Sequence, residues 1–204
     1  MLSKNSVLFS LALALLLMPV DAFAQKSGFF FRGNVGPGYT TISADDAGDT
    51  KVSGASGMVA LAFGAFVKSN VAIYGEIFGS SITGPTMESG GTTINTNDDV
   101  TATVGGLGAG ATIYTPSGIY FGGTVGISTM TLEYDTGSAS VSADTDAGLG
   151  LSVLVGKEWR VGNKWGLGVS GHAMTGRIPD GDDTWTPMAI GVDFTFTFVG
   201  GGYR

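Results

Sequence analysis

The sequence lacks cysteine and is poor in charge, and these two absences remove several classes of protein. Without cysteine the 204-residue chain has no thiolate metal site, no cysteine nucleophile and no disulfide scaffold. Only 13% of its residues are charged, and 10 basic against 17 acidic residues give a net charge of -7. Such an acidic chain is poorly suited to nucleic acid, because nucleic-acid binders must neutralise phosphates. A mean hydropathy of +0.29 argues against intrinsic disorder.

Long apolar runs are absent beyond the N-terminus, which excludes a bundle of membrane-spanning helices. The N-terminal run, Val7–Val20, follows Lys4 and precedes the small-x-small site Ala22-Phe23-Ala24. With about 14 residues it is shorter than the roughly 20 that a spanning helix needs. A positive residue, a short apolar run and a small-x-small site are typical of a secretory leader. We therefore predict a cleavable signal peptide over residues 1–24 and one mature domain over residues 25–204.

The chain is rich in glycine, with 35 residues, and most of this glycine lies in segments of alternating polarity. In Val59–Val67, for example, one face is apolar throughout, and the other face carries the small residues Ala60, Ala62 and Gly64. Strands of about 9–11 residues or slightly more, apolar on one face only, cross a bilayer at a tilt. The fold class we predict is all-β, an eight-stranded antiparallel up-and-down transmembrane β-barrel. Its predicted strands are Phe29–Thr40, Val59–Val67, Val71–Ser80, Thr101–Tyr114, Ile119–Thr131, Leu149–Lys157, Trp165–Thr175 and Met188–Val199.

The connections between these segments alternate between tight turns and long polar loops, as one rim of turns and one rim of loops requires. We predict loops at about Thr41–Ser56, Ile82–Val100, Tyr134–Ala147 and Ile178–Thr186. Most carboxylates fall in these loops, whereas the lysines and arginines collect near the turns. Aromatic side chains are expected at the two membrane interfaces: Phe121, Trp159, Trp165 and Phe198 on the turn side, and Tyr39 and Trp185 on the loop side.

Three stretches carry a resemblance to the small eight-stranded bacterial outer-membrane barrels, the OmpA/OmpX/OmpW-like group. They are Gly33–Tyr39, Ile119–Gly126 and the alternating final strand Ala189–Phe198, which resembles a signal for barrel insertion. The resemblance implies a Gram-negative outer membrane, with its lipid and lipopolysaccharide as surroundings and its barrel-insertion machinery as a partner. We expect a monomer without a cofactor. The chain departs from the group at its end, where Val199–Arg204 follow in place of a terminal aromatic residue.

The faces opposite the apolar ones define a predicted lumen, and an eight-stranded barrel is just wide enough for side chains to fill it. Buried charges must pair, because an unpaired ion in such a place is very costly. We expect pairs of Arg32 with Glu76 and of His172 with Asp193. The interpretation is a polar network that holds the barrel closed, and a narrow gated or proton-linked path is the alternative. The predicted members of this lumen polar network are Arg32, Glu76, Glu158, His172 and Asp193.

Two further constellations have a chemical interpretation. Ser170, His172 and Asp193 contain the residue types of a nucleophile, a base and an orienting carboxylate. Acidic stretches at 144–148 and 180–183 place oxygen ligands near glycine but lack the full spacing of a calcium loop, so divalent cations are a possible partner and no metal site is assigned. The leading hypothesis is a non-enzymatic protein that acts in envelope structure or through its acidic extracellular loops. The alternatives are a narrow channel for small or hydrophobic solutes and, more remotely, a lipid-modifying enzyme.

Overall fold

The computed structural model describes residues 26–44, 50–135, 140–181 and 183–203, and almost all of them lie in strands. The predicted signal peptide lies outside the described residues. Within them, no helix is long and apolar enough to cross a membrane. The strands are β1 (Gly28–Ala44), β2 (Lys51–Lys68), β3 (Val71–Thr83), β4 (Thr86–Ser89), β5 (Thr92–Asn95), β6 (Val100–Tyr114), β7 (Ile119–Asp135), β8 (Ser140–Asp144), β9 (Gly148–Arg160), β10 (Trp165–Asp180) and β11 (Asp183–Val199).

Eight of these strands close into an antiparallel barrel, which confirms the predicted fold class. Each barrel strand pairs with its neighbours in the chain, and β1 closes the ring by pairing with both β2 and β11. Following the paired residues once around the barrel from Phe30 leads back to β1 at Thr40, a shift of ten residues. Such a shift requires the strands to tilt by about 35–45° from the barrel axis.

The two faces of the barrel wall differ in the way that the alternation predicts. Large apolar side chains stand exposed on the outside, among them Val35, Ile77, Val125 and Phe194. The inner face carries small, polar and aromatic residues that are buried. Glycine is required where neighbouring strands crowd together: a Cβ on Gly64 would lie 1.9 Å from the carbonyl oxygen of Ile73. The high glycine content is therefore a property of the narrow, strongly tilted wall.

The loop rim is built differently from the prediction, because the strands continue into the segments predicted as loops. β1 extends to Ala44 and β2 begins at Lys51, while β10 and β11 pair as far as Asp180 and Asp183. The segment after β3 forms a short hairpin of β4 and β5, and β8 folds back on β7. Alternating hydrophobicity marks only the part of a strand that faces lipid, so it ended too early here. The three tight turns that the sequence predicts, at residues 68–70, 115–118 and 160–164, lie together on the opposite rim.

Candidate functional site

The candidate site is the barrel lumen, which collects the chain's buried polar residues. Glu76 and Glu158 project inward from β3 and β9 and are each 1% exposed, and Arg32 on β1 is completely buried. His172 on β10 and Asp193 on β11 are 3% and 1% exposed. The structure thus places all five predicted network residues inside the barrel. Their partners, however, differ in part from the predicted ones.

His172 and Asp193 lie side by side at mid-lumen. The distance from His172 Nδ1 to Asp193 Oδ2 is 2.9 Å, and both side chains are fully buried. On the other side of the ring, Nε2 lies 3.0 Å from the hydroxyl of Ser152 on β9. The Oγ of Ser170, the serine that the sequence suggested, is buried without a hydrogen-bond partner. Ser152 was missed although it shares the inward face of β9, because its closeness to His172 depends on the pairing register.

The imidazole therefore joins a serine to a carboxylate, which is the hydrogen-bond order of an acyl-transfer triad. All three residues are buried at 3% exposure or less. Met58 and Phe78, also buried, belong to an apolar cluster that fills the loop-side half of the lumen. The arrangement satisfies the buried histidine, and as it stands it offers no exposed nucleophile.

Arg32 and Glu76 do not meet in a direct ion pair, contrary to the prediction. Among the described residues, no carboxylate lies within ion-pair distance of Arg32; Glu158 pairs with Lys26, and Asp193 lies against His172. Ala62 of β2 stands between Arg32 and Glu76 in the ladder, so the two side chains start two strands apart. Arg32 Nη1 donates to the Thr112 hydroxyl at 3.1 Å. Glu76 accepts a hydrogen bond from Thr124.

The Arg32 guanidinium is instead surrounded by aromatic rings. Its central carbon lies 5.4 Å from the ring centre of Phe30 and 5.3 Å from those of Tyr74 and Tyr120. The electron-rich ring faces attract a cation, and the attraction strengthens when water is excluded. Arg32 and its rings therefore form a packed layer across the lumen. This layer lies on the turn side of the group of Ser152, His172 and Asp193, which we call the histidine cluster.

The turn-side end of the lumen holds a charged cluster that sequence reasoning did not find, and we call Lys26, Tyr114, Glu158 and Tyr203 the foot cluster. Lys26 Nζ lies 2.5 Å from Glu158 Oε1. The Tyr203 hydroxyl donates to the same oxygen at 2.7 Å, and the Tyr114 hydroxyl lies 3.4 Å from Oε2. The ammonium also stands 3.3 Å above the centre of the Tyr114 ring. Glu158 therefore has three partners although the sequence suggested none.

Two groups of the foot cluster, Lys26 and Tyr203, lie outside the barrel strands and have perturbed acidities. Burial lowers the pKa of the Lys26 ammonium to about 8, and the neighbouring Glu158 carboxylate opposes this shift without cancelling it. Burial and the same carboxylate raise the pKa of the Tyr203 hydroxyl. At neutral pH the foot cluster is thus a charged ion pair flanked by neutral hydroxyl groups.

The segments just before β1 and just after β11 hold this cluster in place. Lys26 and Tyr203 form an isolated antiparallel bridge. The Gly201 amide donates to the Ser27 carbonyl at 2.9 Å, and the Tyr203 amide donates to the Asn163 carbonyl at 2.8 Å. Gly202 allows the turn between them with a φ of 76°. The tail after β11, which departs from the resembled group, therefore folds under the barrel and closes its turn-side end.

The loop-side half of the lumen is largely apolar, although the buried hydroxyls of Thr40, Ser56 and Ser80 hydrogen-bond with one another there. Ile42, Met58, Phe78 and Ile178 are buried in one cluster, with the Trp185 ring packed against it. Beyond this cluster, at the mouth, lies a mainly apolar cavity of about 150 Å³ whose lining includes Ile42 and Trp185. The sequence placed Trp185 with Tyr39 at the loop-side membrane interface. In the structure its ring packs toward the lumen instead.

The other predicted interface aromatics are distributed along the outer surface. Tyr39, Phe121 and Trp165 are exposed, whereas Trp159 and Phe198 are half-buried. The rings of Trp165 and Phe198 lie 5.0 Å apart near the turn rim. Their contact with a membrane interface stays a prediction.

The acidic loop residues do not assemble into a metal centre within the described part of the chain, where no group of three potential ligands occurs. Asp144 instead accepts a hydrogen bond from Thr131 at 2.7 Å. Asp180 faces Asp183 across the tip of the β10–β11 hairpin. Asp45, Asp46, Asp49 and Asp182 lie outside the described residues, and divalent-cation binding stays a prediction.

A closed antiparallel barrel with an apolar outside and a filled polar inside defines an integral outer-membrane β-barrel protein. The chain belongs to the outer membrane protein beta-barrel domain family, whose sequence profile matches residues 10–198. It therefore resides in the outer membrane of a Gram-negative bacterium, in contact with the lipid of that membrane. Comparison with curated protein sequences gives no match.

Solved structures resemble the barrel in fold at low sequence identity. Neisserial surface protein A superposes with a TM-score of 0.55 at 13% identity, over 85% of this chain and 97% of the other. Ail of Yersinia pestis, in complex with a heparin analogue, has a TM-score of 0.46 at 9% identity, over 82% and 98%. OprG of Pseudomonas aeruginosa has a TM-score of 0.43 at 12% identity, over 87% and 99%. These likenesses concern the fold alone.

Proposed function

We propose that this protein is a non-enzymatic component of the outer membrane that acts through its wall and its acidic extracellular loops, with a lumen that stays closed. The observation that carries the proposal is the filling of the lumen along its length. The foot cluster, the layer around Arg32, the histidine cluster and the apolar cluster around Phe78 follow one another from turn rim to loop rim. Each layer consists of buried side chains.

Recording from the purified protein in planar lipid bilayers tests the closed lumen. The wild type should give no steady, discrete conductance. An open porin reconstituted under the same conditions serves as the positive control and checks that a water-filled lumen would be detected. Steady unitary currents from the wild type would overturn the proposal.

A second candidate function, uptake or binding of small hydrophobic molecules, is supported by the apolar cavity at the mouth. Trp185 lines this cavity, whereas Trp159 and Trp165 lie near the other rim. A hydrophobic solute such as a brominated alkane should therefore quench the wild-type fluorescence, and a Trp185→Phe variant should lose that quenching. Equal quenching in both proteins would remove this candidate.

The non-enzymatic part of the proposal has its own test. Ser152, His172 and Asp193 are buried, so no lipid headgroup reaches the serine hydroxyl in this arrangement. Expression of the wild type should leave the mass spectrum of the host's lipid A unchanged. A mass shift that disappears in a His172→Ala variant would establish the remote enzymatic alternative.

A further inference from the structure

A groove on the outer wall, near the loop rim, is open to the membrane and has a volume of about 550 Å³. It arises from the strand pairing: β7 stays with β9 only as far as Ser128 and Gly148, and from Thr131 onward it pairs with β8. The β10–β11 hairpin continues past the start of β9. The wall therefore opens between two hairpins. Its lining includes Ile127, Ala147, Gly148, Leu149, Arg177 and Pro179.

Most of this lining is apolar and faces outward. Ile127 and Leu149 are 59% and 63% exposed, and Ala147 and Pro179 are also exposed. The glycine and alanine residues of the groove have little or no side chain, so the surface between the two hairpins is concave. On an outer-membrane barrel such a surface is in contact with acyl chains.

Arg177 is the charged residue of the groove. Its side chain is exposed, and no ion pair of Arg177 is present among the described residues. It faces Leu149 in the ladder and therefore stands on the outer wall with the apolar side chains. A guanidinium at this position matches a phosphate in geometry and in charge.

The depth of Arg177 in the membrane follows from the strand that carries it. Trp165, exposed at the turn rim, begins the same strand, β10, and Arg177 lies twelve residues later. At about 3.3 Å per residue and a tilt near 40°, this interval spans about 30 Å along the barrel axis. The hydrocarbon core of a bilayer is also about 30 Å thick. If Trp165 marks one interface, Arg177 lies at the headgroup level of the other leaflet.

We propose that the groove holds a phosphorylated lipid of the outer leaflet, with an acyl chain over Ile127 and Leu149 and a phosphate on Arg177. This assigns the outer wall a specific lipid site beside its general contact with the membrane. The proposal rests on the membrane location of the barrel and is independent of whether the lumen conducts.

Binding of bisphosphorylated lipid A to the purified protein, followed by native mass spectrometry or a fluorescent lipid analogue, tests the site. Arg177→Gln should raise the dissociation constant roughly tenfold, as expected for the loss of one charge-assisted contact. Arg177→Lys should retain most of the affinity. Lys51→Gln is the matched control, because Lys51 is another exposed loop-side cation and lies opposite Glu88, away from the groove.

A second variant tests the apolar part of the site. Ala147→Phe fills the groove while leaving Arg177 in place, and it should weaken binding of both bisphosphorylated and dephosphorylated lipid A. Arg177→Gln should affect only the phosphorylated form. Each variant is first shown to be folded by its heat-modifiable gel band. Equal affinity of Arg177→Gln and Lys51→Gln, displacement of the lipid by millimolar inorganic phosphate, or no effect of Ala147→Phe would each overturn the proposal.

Discussion

Removing the cation of the foot cluster should destabilise the barrel more than removing the whole ion pair. In a Lys26→Met variant the Glu158 carboxylate would stay buried, and its remaining donors among the described residues would be the Tyr203 and Tyr114 hydroxyls. Breaking one partner of a buried pair typically costs about 3–5 kcal/mol. Because the 2.7 Å hydrogen bond from Tyr203 persists, we expect the lower end, about 3 kcal/mol.

Replacing both partners separates the ion pair from simple packing. The double variant Lys26→Met with Glu158→Gln removes both charges and should lie within about 1 kcal/mol of the wild type, since apolar or neutral replacements of buried pairs are often close to neutral. Urea unfolding in lipid vesicles, followed by tryptophan fluorescence, gives the free energies. Lys164→Met, at an exposed lysine of the same rim, serves as control and should change nothing measurable.

The unfolding free energy of Lys26→Met is compared with that of the double variant and with that of the Lys164→Met control. If Lys26→Met and the double variant are equally destabilised, the lysine acts through packing and not through its charge. If Lys26→Met matches the Lys164→Met control, water reaches the foot cluster and the carboxylate is not isolated. Either outcome would refute the account of the foot cluster as a buried ion pair.

Three further predictions follow from the lumen. The Lys26 side chain should titrate near pH 8 by NMR, against about 10.5 for an unperturbed lysine. The free energy of unfolding should rise with pH between these two values, because the unfolded chain binds more protons there than the folded one. A titration midpoint at 10.5 would contradict the burial of Lys26. Ser152→Ala should cost about 1–3 kcal/mol by leaving His172 Nε2 without its partner, whereas Ser170→Ala, which removes an unpaired hydroxyl, should cost little; the reverse order in urea unfolding would contradict the contact between Ser152 and His172. Phe78→Ala should cost about 3–5 kcal/mol in the same assay, because the ring fills the lumen, and a change below 1 kcal/mol would mean that this half is loosely packed.

The alternation of side chains was sufficient to predict which residues point inward, because that assignment needs only the period of a strand. It therefore placed His172 and Asp193, on adjoining strands, in the same interior. It could not give the partners of Arg32, because those depend on how far each strand is shifted against the next. The ten-residue shift around the barrel brings Arg32 to the rings of Tyr74 and Tyr120, at the level of the aromatic layer.

Residues outside the alternating segments gave no usable signal. Lys26 precedes β1 and Tyr203 follows β11, so neither belongs to a strand whose faces could be assigned. They meet because the closed barrel brings the start of β1 and the end of β11 to one rim, where the two residues bridge. The loops were predicted too long for a related reason. Above the membrane the strands continue with few apolar residues on their outer face, so the extensions from Lys51 and to Asp180 lack the alternation that marks a lipid-facing strand.

The buried charges also have a consequence for how the barrel is specified. Arg32, Glu76, Glu158 and Asp193 lie on four different strands, β1, β3, β9 and β11. A slip of any of these strands by one residue would exchange its two faces and turn the charged side chain toward lipid. For an arginine near the bilayer midplane that exchange costs about 2–4 kcal/mol, and somewhat less for a carboxylate. The apolar outer residues alone penalise the same slip, but the inner charges add to that penalty on strands spread around the whole ring. The polar lumen therefore selects one register of the wall at the same time as it fills the interior, which explains why a barrel with a closed lumen keeps costly charges inside it.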